Sequence, residues 1–226
     1  MRGDDYLFHL NSGCGIGTDT INFLRHGANL TSIDISGESV KIASERAKVY
    51  GFEDASIFQA NIEQISTCPV FEKYSLKAYD LVYSFGVLHH TPDPKVAMNN
   101  IAALQEPGAE LRLMLYSKIS YKLMWAMYEK KMWKMSEAND IIREYAEAQT
   151  GCPVAYTYTF KEVEDLLSPW YSITSIKKDH IFKWNIEKYI EKEYVIDEAW
   201  DGVDEKAFKA WEEELGWHTL VKAVRN

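Results

Sequence analysis

The chain has 226 residues, of which 46% are hydrophobic and 26% are charged. This length and composition fit one soluble globular domain with a sizeable core. The chain is too short for two full-sized domains. The 34 acidic and 25 basic residues give a net charge of −9, which argues against a non-specific grip on nucleic acid or on an anionic membrane. No run of about 18 apolar residues occurs, so we expect no membrane span.

The cysteine content indicates the compartment. Cys14, Cys68 and Cys152 are odd in number, widely spaced and without a CxxC pair, which fits neither a disulfide framework nor a zinc knuckle. Residues 1–5 carry two acidic side chains where a secretory signal needs basic charge followed by an apolar stretch. We therefore expect a cytoplasmic protein with reduced thiols and no bound metal.

The first half alternates short apolar runs with helical patterns, which is typical of βαβ units around a parallel sheet. The spacing of apolar residues predicts helices at residues 18–26 and 38–50. A further helix is predicted after Asp93, which can cap it, with Pro94 at its first position. Apolar runs predict five strands, at residues 6–11, 30–35, 55–60, 80–85 and 110–116.

The second half has a different composition. Residues 119–150 have a helical pattern, and four of the seven methionines fall between Met124 and Met135. Two interpretations stay open for this stretch: an adaptable lid over an apolar ligand, or packing against the sheet or a second subunit. Thr159 and Glu162 fit a capping box that starts the next helix. Two more strands are predicted at residues 171–178 and 217–224.

Most of the negative charge lies between those last two strands. Residues 186–215 hold eleven acidic side chains and four lysines, a net charge of −7. The pattern predicts two short helices with a solvated acidic face, and a docking surface for a cationic ligand is the alternative.

The strongest chemical signal is the sequence NSGCGIG at residues 11–17, between a predicted strand and a predicted helix. Glycines there allow a sharp turn and a close approach to a ligand, and the helix N-terminus offers free N–H groups. The second predicted strand ends at Asp34, whose carboxylate can accept both hydroxyls of an adenosine ribose. The pattern therefore predicts a nucleoside-containing cofactor. A dinucleotide fingerprint counted from Gly13 would need glycine at Thr18.

The GxGxG spacing of this turn resembles motif I of the class I S-adenosylmethionine (SAM)-dependent methyltransferases. The resemblance covers residues 7–117, which look like the small-molecule methyltransferases of ubiquinone and menaquinone biosynthesis (the methyltransferase type 11 group). Residues 60–63 match the segment after that family's third strand. Residues 79–94 are close to its FDLV…LHH.PDP signature, and residues 104–108 resemble its LKPGG turn.

The resemblance implies a Rossmann-like, doubly wound α/β fold. Its seven-stranded sheet would be mostly parallel with an antiparallel last strand, and residues 1–226 would form one methyltransferase domain with a helical cap insert at residues 118–150. It also implies SAM as cofactor, S-adenosylhomocysteine (SAH) as product and a small-molecule methyl acceptor. It indicates neither the acceptor nor the oligomeric state.

The resemblance also implies which residues form the site. His89 is the predicted catalytic residue, because it follows the fourth strand at the edge where such sheets bind ligands. His90 is the alternative base and otherwise makes a structural hydrogen bond to the backbone. A base is needed only if the acceptor must lose a proton. The predicted cofactor-binding residues are Asn11, Gly13, Cys14, Gly15, Gly17, Asp34, Ile35, Asn61, Ile62 and Ser84.

The sequence departs from the family pattern at two amides and at its start. Asn11 stands where a carboxylate usually helps to hold the ammonium end of the methionine moiety. Loss of that charge-assisted contact would reduce the free energy of binding by about 1–2 kcal/mol. Asn61 replaces an aspartate but keeps an acceptor oxygen for the adenine amino group. The sequence begins almost at the first predicted strand, which one or two helices usually precede in the family. Two other functions therefore stay open: SAM binding without catalysis, and nicotinamide-dependent oxidation, which Thr18 disfavours.

Overall fold

The computed structural model describes residues 7–67, 79–145, 154–185, 188, 191 and 193–226. The predictions for residues 1–6, for Cys68 and Cys152 and for the end of the helical insert lie outside these ranges. None of the helices in the described ranges is long and apolar enough to cross a membrane.

The described strands form one eight-stranded sheet. Seven of them follow the order β3-β2-β1-β4-β5-β8-β7, in which β1 to β5 are parallel and β8 is antiparallel to both of its neighbours. The predicted doubly wound sheet is confirmed. The strands are β1 (Phe8–Ser12), β2 (Asn29–Asp34), β3 (Ser56–Gln59), β4 (Leu81–Phe85), β5 (Glu110–Ser117), β6 (Thr157–Tyr158), β7 (Tyr171–Asp179) and β8 (His218–Arg225).

One strand of the sheet, β6, was not predicted. It has two residues, too few for an alternation of apolar and polar side chains to be visible in the sequence. β4 pairs with β5 only as far as Met114, and β6 pairs in parallel with the next part of β5, at Tyr116 and Ser117. The chain that returns from the helical insert therefore extends the sheet beyond the end of β4.

The helices begin where the sequence provides caps. The Asp93 carboxylate accepts hydrogen bonds from the N–H groups of Lys95 and Val96, and Thr159 and Glu162 form the predicted capping box. The α-helices of the described ranges are α1 (Thr18–Arg25), α2 (Gly37–Val49), α3 (Pro94–Ala103), α4 (Tyr121–Lys130), α5 (Ala138–Tyr145), α6 (Phe160–Leu167) and α7 (Glu205–Leu215).

Three clusters of buried apolar side chains hold these elements on the sheet. The largest joins β1, β4 and β5 to α3 and α6, with Leu10, Ile101 and Leu166 among its members. A smaller one packs α1 and α2 next to the glycine turn and includes Ala43. The third packs α4 and α5 against Met114 of β5. Burial on both faces explains why the parallel strands read as continuous apolar runs.

The predicted helical stretch after β5 is divided into α4 and α5. α4 ends at Lys130, and the capping residue Lys131 has left-handed backbone geometry with φ 54°. Its inward face buries Leu123, Ala126 and Met127, whereas the side chains of Met124 and Tyr128 are exposed. Packing against the sheet therefore accounts for one face of α4, and the role of the insert as a cap stays a prediction.

Candidate functional site

A cavity of about 670 Å³ lies at the carboxyl ends of β1 to β4. The strand order reverses between β1 and β4, and sheets of this kind bind ligands at that position. The volume lies within the usual range for small-molecule sites. The residues lining it are Ser12, Gly13, Gly15, Ile33, Asp34, Ile35, Ala60, Asn61, Ile62, Glu63, Phe85, Gly86, Val87, His90, Thr91 and Pro92.

The glycine turn forms one wall of this cavity. The N–H groups of Gly13 and Cys14 both donate to the Ile33 carbonyl, at 2.8 and 2.9 Å, which fixes the turn on β2. Gly13 has φ 80°, and a Cβ on it would lie 2.0 Å from a methyl carbon of Val87. Only glycine fits at this position, because any side chain would be both strained and obstructed.

Gly15 shows that the cavity suits a ligand held against the backbone. It lines the cavity with φ 51°, and a Cβ on it would meet no heavy atom within 4 Å. Ser12 also lines the cavity, and its buried hydroxyl has no hydrogen-bond partner in the part of the chain that the structure describes. An orphaned hydroxyl beside open backbone fits a polar ligand such as SAM.

Asp34 joins the two loops that follow β1 and β2. Its Oδ2 accepts from the Gly15 N–H at 2.8 Å, and its Oδ1 accepts from the Ser36 N–H at 2.9 Å. A carboxylate has about four lone-pair sites, so each oxygen keeps one for a ribose hydroxyl. The carboxylate therefore orders the glycine turn and still presents acceptors to the cavity.

The cavity is also lined by residues that follow β2 and β3, namely Ile35, Asn61 and Ile62. The side-chain oxygen Oδ1 of Asn61 accepts from the Glu63 N–H at 2.9 Å and keeps a second lone pair. Asn100 donates to the Ile62 carbonyl at 2.8 Å, which holds this loop on α3. Ile62 is nearly buried, whereas 67% of Ile35 is exposed. This arrangement can hold a flat apolar ring with one polar edge.

Four predicted cofactor-binding residues, Asn11, Cys14, Gly17 and Ser84, are not among the lining residues. Asn11 is 2% exposed, and its amide donates to the Thr20 hydroxyl at 3.1 Å. That hydroxyl lies 2.9 Å from the hydroxyl of Ser32. The amide is therefore engaged in a buried polar network behind the turn, and a contact between Asn11 and a cofactor stays a prediction.

Two of the other three, Cys14 and Gly17, pack behind the turn. Cys14 packs between α1 and α2, and burial, followed by the nearby Asp34 carboxylate, raises the pKa of its thiol to about 12. A Cβ on Gly17 would lie 2.9 Å from Cβ of Ala43, so glycine there lets α1 and α2 approach each other. The hydroxyl of Ser84 is buried and has no hydrogen-bond partner among the described residues.

His89 is fully buried and does not line the cavity. Its ring centroid lies 3.7 Å from that of Tyr116 and 4.3 Å from that of His90. Neither ring nitrogen has a hydrogen-bond partner in the described ranges. Burial, with smaller contributions from the charges of His90 and His218, holds the pKa of His89 well below its usual value. The catalytic role of His89 stays a prediction.

His90 does line the cavity. Its Nδ1 lies 3.0 Å from the Val154 carbonyl oxygen, and because a carbonyl only accepts, Nδ1 is the donor. Nε2 lies 3.3 Å from the hydroxyl of Tyr116. The predicted structural hydrogen bond to backbone is present. In the same segment, the Tyr156 N–H donates to the His89 carbonyl at 2.8 Å and the Tyr156 hydroxyl donates to the Pro92 carbonyl at 3.4 Å. Three hydrogen bonds therefore join this loop to the chain that returns from the insert.

The burial of His89 predicts that stability falls in acid. The unfolded chain, in which a histidine has a pKa of about 6.5, binds a proton that buried His89 does not. The free energy of unfolding should therefore fall below about pH 6.5, by at most about 1.4 kcal/mol per pH unit for this group. Urea unfolding at neutral and acidic pH measures the fall, and His89→Phe should reduce it.

The control is His26→Phe, because His26 is exposed, and this variant should show the same fall as the wild-type protein. A fall in His89→Phe equal to that of the wild-type protein would mean that His89 is not the group responsible.

The cavity wall formed after β4 was not predicted. It is lined by Phe85, Gly86, Val87, Thr91 and Pro92. These residues lie within the signature at residues 79–94, so the sequence does carry a signal for them. Glu63 was also missed, although it directly follows Ile62; its carboxylate accepts from the Asp93 N–H and so joins the loop after β3 to the start of α3.

Comparison with known proteins shows what kind of domain the chain contains. Residues 10–111 match a family model described as a methyltransferase domain. The chain is 28% identical over 172 residues to the ubiquinone biosynthesis O-methyltransferase of Photorhabdus laumondii, which covers 76% of this chain and 63% of that protein. The chain spans less than two thirds of the length of the curated relatives that it matches.

Solved structures share the fold. The magnesium protoporphyrin IX methyltransferase of Synechocystis, with bound SAH, is 16% identical, with a TM-score of 0.62 over 98% of this chain and 75% of that chain. A SAM-dependent methyltransferase from Mesorhizobium loti is 15% identical, with a TM-score of 0.61 over 100% of this chain and 94% of that one. The matched domain, the relatives and the shared fold agree: residues 10–111 match a methyltransferase domain, and the chain is similar to the class I SAM-dependent methyltransferases.

Proposed function

We propose that this protein transfers a methyl group from SAM to a small-molecule acceptor and releases SAH. The observation that carries the proposal is the cavity at the strand-order reversal, which presents the open backbone of Gly15 and the carboxylate of Asp34. The relatives named as O-methyltransferases make a hydroxyl group the first acceptor class to test. A cytoplasmic location is part of the proposal and rests on the cysteine content of the sequence.

Each part of the cavity has a role in this proposal. Gly13 and Gly15 would hold the methionine end of SAM, Asp34 the ribose, and Asn61 and Ile62 the adenine. When bound, SAM supplies an electrophilic methyl group on a sulfonium with a neutral leaving group. The chain's own task is to align the acceptor with that methyl and to exclude water, which can account for most of the rate enhancement.

A hydroxyl acceptor also has to lose a proton, and two histidines are the candidates. His89 was the predicted base, but its burial and lowered pKa make it a weak one. His90 lines the cavity and has its Nδ1 proton held by the Val154 carbonyl. We therefore expect the larger loss of kcat, about 10²-fold or more, from His90→Gln. His89→Gln should change kcat less, and the opposite order would restore His89 as the base.

Calorimetric titration with SAM, SAH and NAD tests the cofactor. We expect SAM and SAH to bind and NAD not to bind. Binding of NAD without SAM or SAH would overturn the methyltransferase proposal in favour of an oxidoreductase.

A second candidate function is SAM binding without catalysis. The observation that favours it is Asn11, whose amide is engaged with Thr20 behind the turn and brings no charge to the cavity. Formation of SAH from SAM, measured with a panel of phenols, catechols, amines and thiols, separates the two functions. Turnover with any acceptor class excludes the binding protein, and SAM binding without turnover across the whole panel supports it.

A further inference from the structure

Residues 118–135 form a basic and apolar surface, called here the basic surface. They carry five lysines and one glutamate, in a chain whose net charge is −9. Lys118 and Lys130 are ion-paired with Glu162 and Glu144 outside this segment. Met124 and Tyr128, one turn apart on the outward face of α4, are 52% and 65% exposed. Met132, Trp133 and Met135, which follow α4, are exposed as well. An apolar area of this kind with a charged rim is typical of an interaction site.

Residues 193–214 form a surface of the opposite charge, called here the acidic surface. They carry nine acidic side chains and two lysines, a net charge of −7. This surface also exposes large apolar side chains, namely Tyr194, Val195, Ile196 and Trp211. Both surfaces therefore expose large apolar side chains, and their charges are opposite in sign.

The two surfaces are neighbours on the same chain. The rings of Tyr121, at the start of α4, and Trp200 have centroids 5.4 Å apart and meet edge to face. The exposed charges on either side do not neutralise one another. On the basic surface, Lys131 and Lys134 have no ion-pair partner among the described residues, and the same holds for Glu198 and Glu213 on the acidic surface.

We propose that these surfaces form a two-fold symmetric dimer interface, with the basic surface of one copy on the acidic surface of the other. A two-fold axis brings each of two adjacent patches onto the other, so opposite charges side by side are complementary to a second copy of the same chain. Methionine, tryptophan and tyrosine are the residue types enriched at the centre of such interfaces.

The charges of the two surfaces also favour a second copy of the chain over other binding partners. An anionic lipid surface would attract the basic surface but would be repelled by the adjacent acidic surface. A partner protein of one charge would complement only one of the two patches. A second copy satisfies both patches at once, and the proposal does not depend on the methyltransferase activity.

Charge exchange tests the proposal on the full chain. Light scattering coupled to size exclusion should show twice the chain mass for the wild-type protein at low salt, and less dimer at high salt. Lys131→Glu with Lys134→Glu, and separately Glu198→Lys with Glu213→Lys, should each give a monomer. An equimolar mixture of the two variants should dimerise again, because every contact in the mixed pair regains opposite charges.

The control is Lys41→Glu with Lys48→Glu, which makes the same charge change on exposed positions of α2 and should leave the dimer intact. Circular dichroism and SAH binding verify that each variant is folded. A monomeric wild-type protein, dimers that persist in both variants, or a mixture that stays monomeric would each overturn the proposal. Co-sedimentation of monomeric wild-type protein with phosphatidylglycerol vesicles, lost in the lysine variant, would assign the basic surface to a lipid instead.

Discussion

Asp34→Ala should weaken SAM and SAH binding by about tenfold or more, because a charge-assisted hydrogen bond to the ribose is lost. The loss has a second cause in this chain. The carboxylate also accepts from the N–H groups of Gly15 and Ser36, so its removal costs the glycine turn one of its hydrogen bonds to β2 and leaves those to the Ile33 carbonyl. Calorimetric titration measures the affinity, and urea unfolding measures the accompanying fall in stability.

Asp54→Ala provides the matched control for this measurement. Asp54 is an exposed carboxylate in the turn before β3 and does not line the cavity. Its removal changes the net charge equally and should leave SAH affinity unchanged. An unchanged affinity in a folded Asp34→Ala variant would show that the ribose site lies elsewhere.

Gly13→Ala should abolish measurable cofactor binding and destabilise the protein. Two effects combine at this position: φ of 80° is unfavourable for alanine by about 1–2 kcal/mol, and the new Cβ would lie 2.0 Å from a methyl carbon of Val87. Relief of that contact would move Val87, which itself lines the cavity. Urea unfolding and SAH titration report the two consequences separately.

Gly27→Ala separates backbone strain from steric contact. Gly27 has nearly the same φ, 77°, but a Cβ on it would meet no heavy atom within 4 Å. The difference in unfolding free energy between the two variants, about 1–3 kcal/mol, therefore measures the clash with Val87. Adding Val87→Ala to the Gly13 variant should recover part of that difference. Equal destabilisation by both alanine variants would mean that Val87 moves aside at no cost.

The features that could be predicted from the sequence depend on residues that are close together along the chain. The strands and helices have strong periodicity, the caps at Asp93 and Thr159 are short-range hydrogen bonds, and the carboxyl edge of the sheet follows from the order of the elements. Once that order was known, Gly15 and Asp34 had to meet. These predictions needed no knowledge of how distant segments pack.

The features that escaped prediction depend on contacts between distant parts of the chain. Whether His89 or His90 faces the cavity is decided by Tyr116 and by Val154, which lies 64 residues away from His90. Neighbouring histidines on a short 3-10 helix give no periodic signal. The direction of the Asn11 amide is likewise fixed by Thr20. Burial of a polar side chain is a tertiary property that one sequence does not reveal.

The hydrogen bonds between residues 154–156 and the loop after β4 have a consequence for how such a protein diverges. His90 and the His89 carbonyl are hydrogen-bonded to the chain as it leaves the insert, whereas the described hydrogen bonds of Asp34 and the glycine turn all lie within residues 13–60. A change in the length of the insert would therefore reshape the end of the cavity where we propose that the acceptor binds. The end where we propose that SAM binds would keep its hydrogen bonds, so the acceptor can change while the cofactor stays the same.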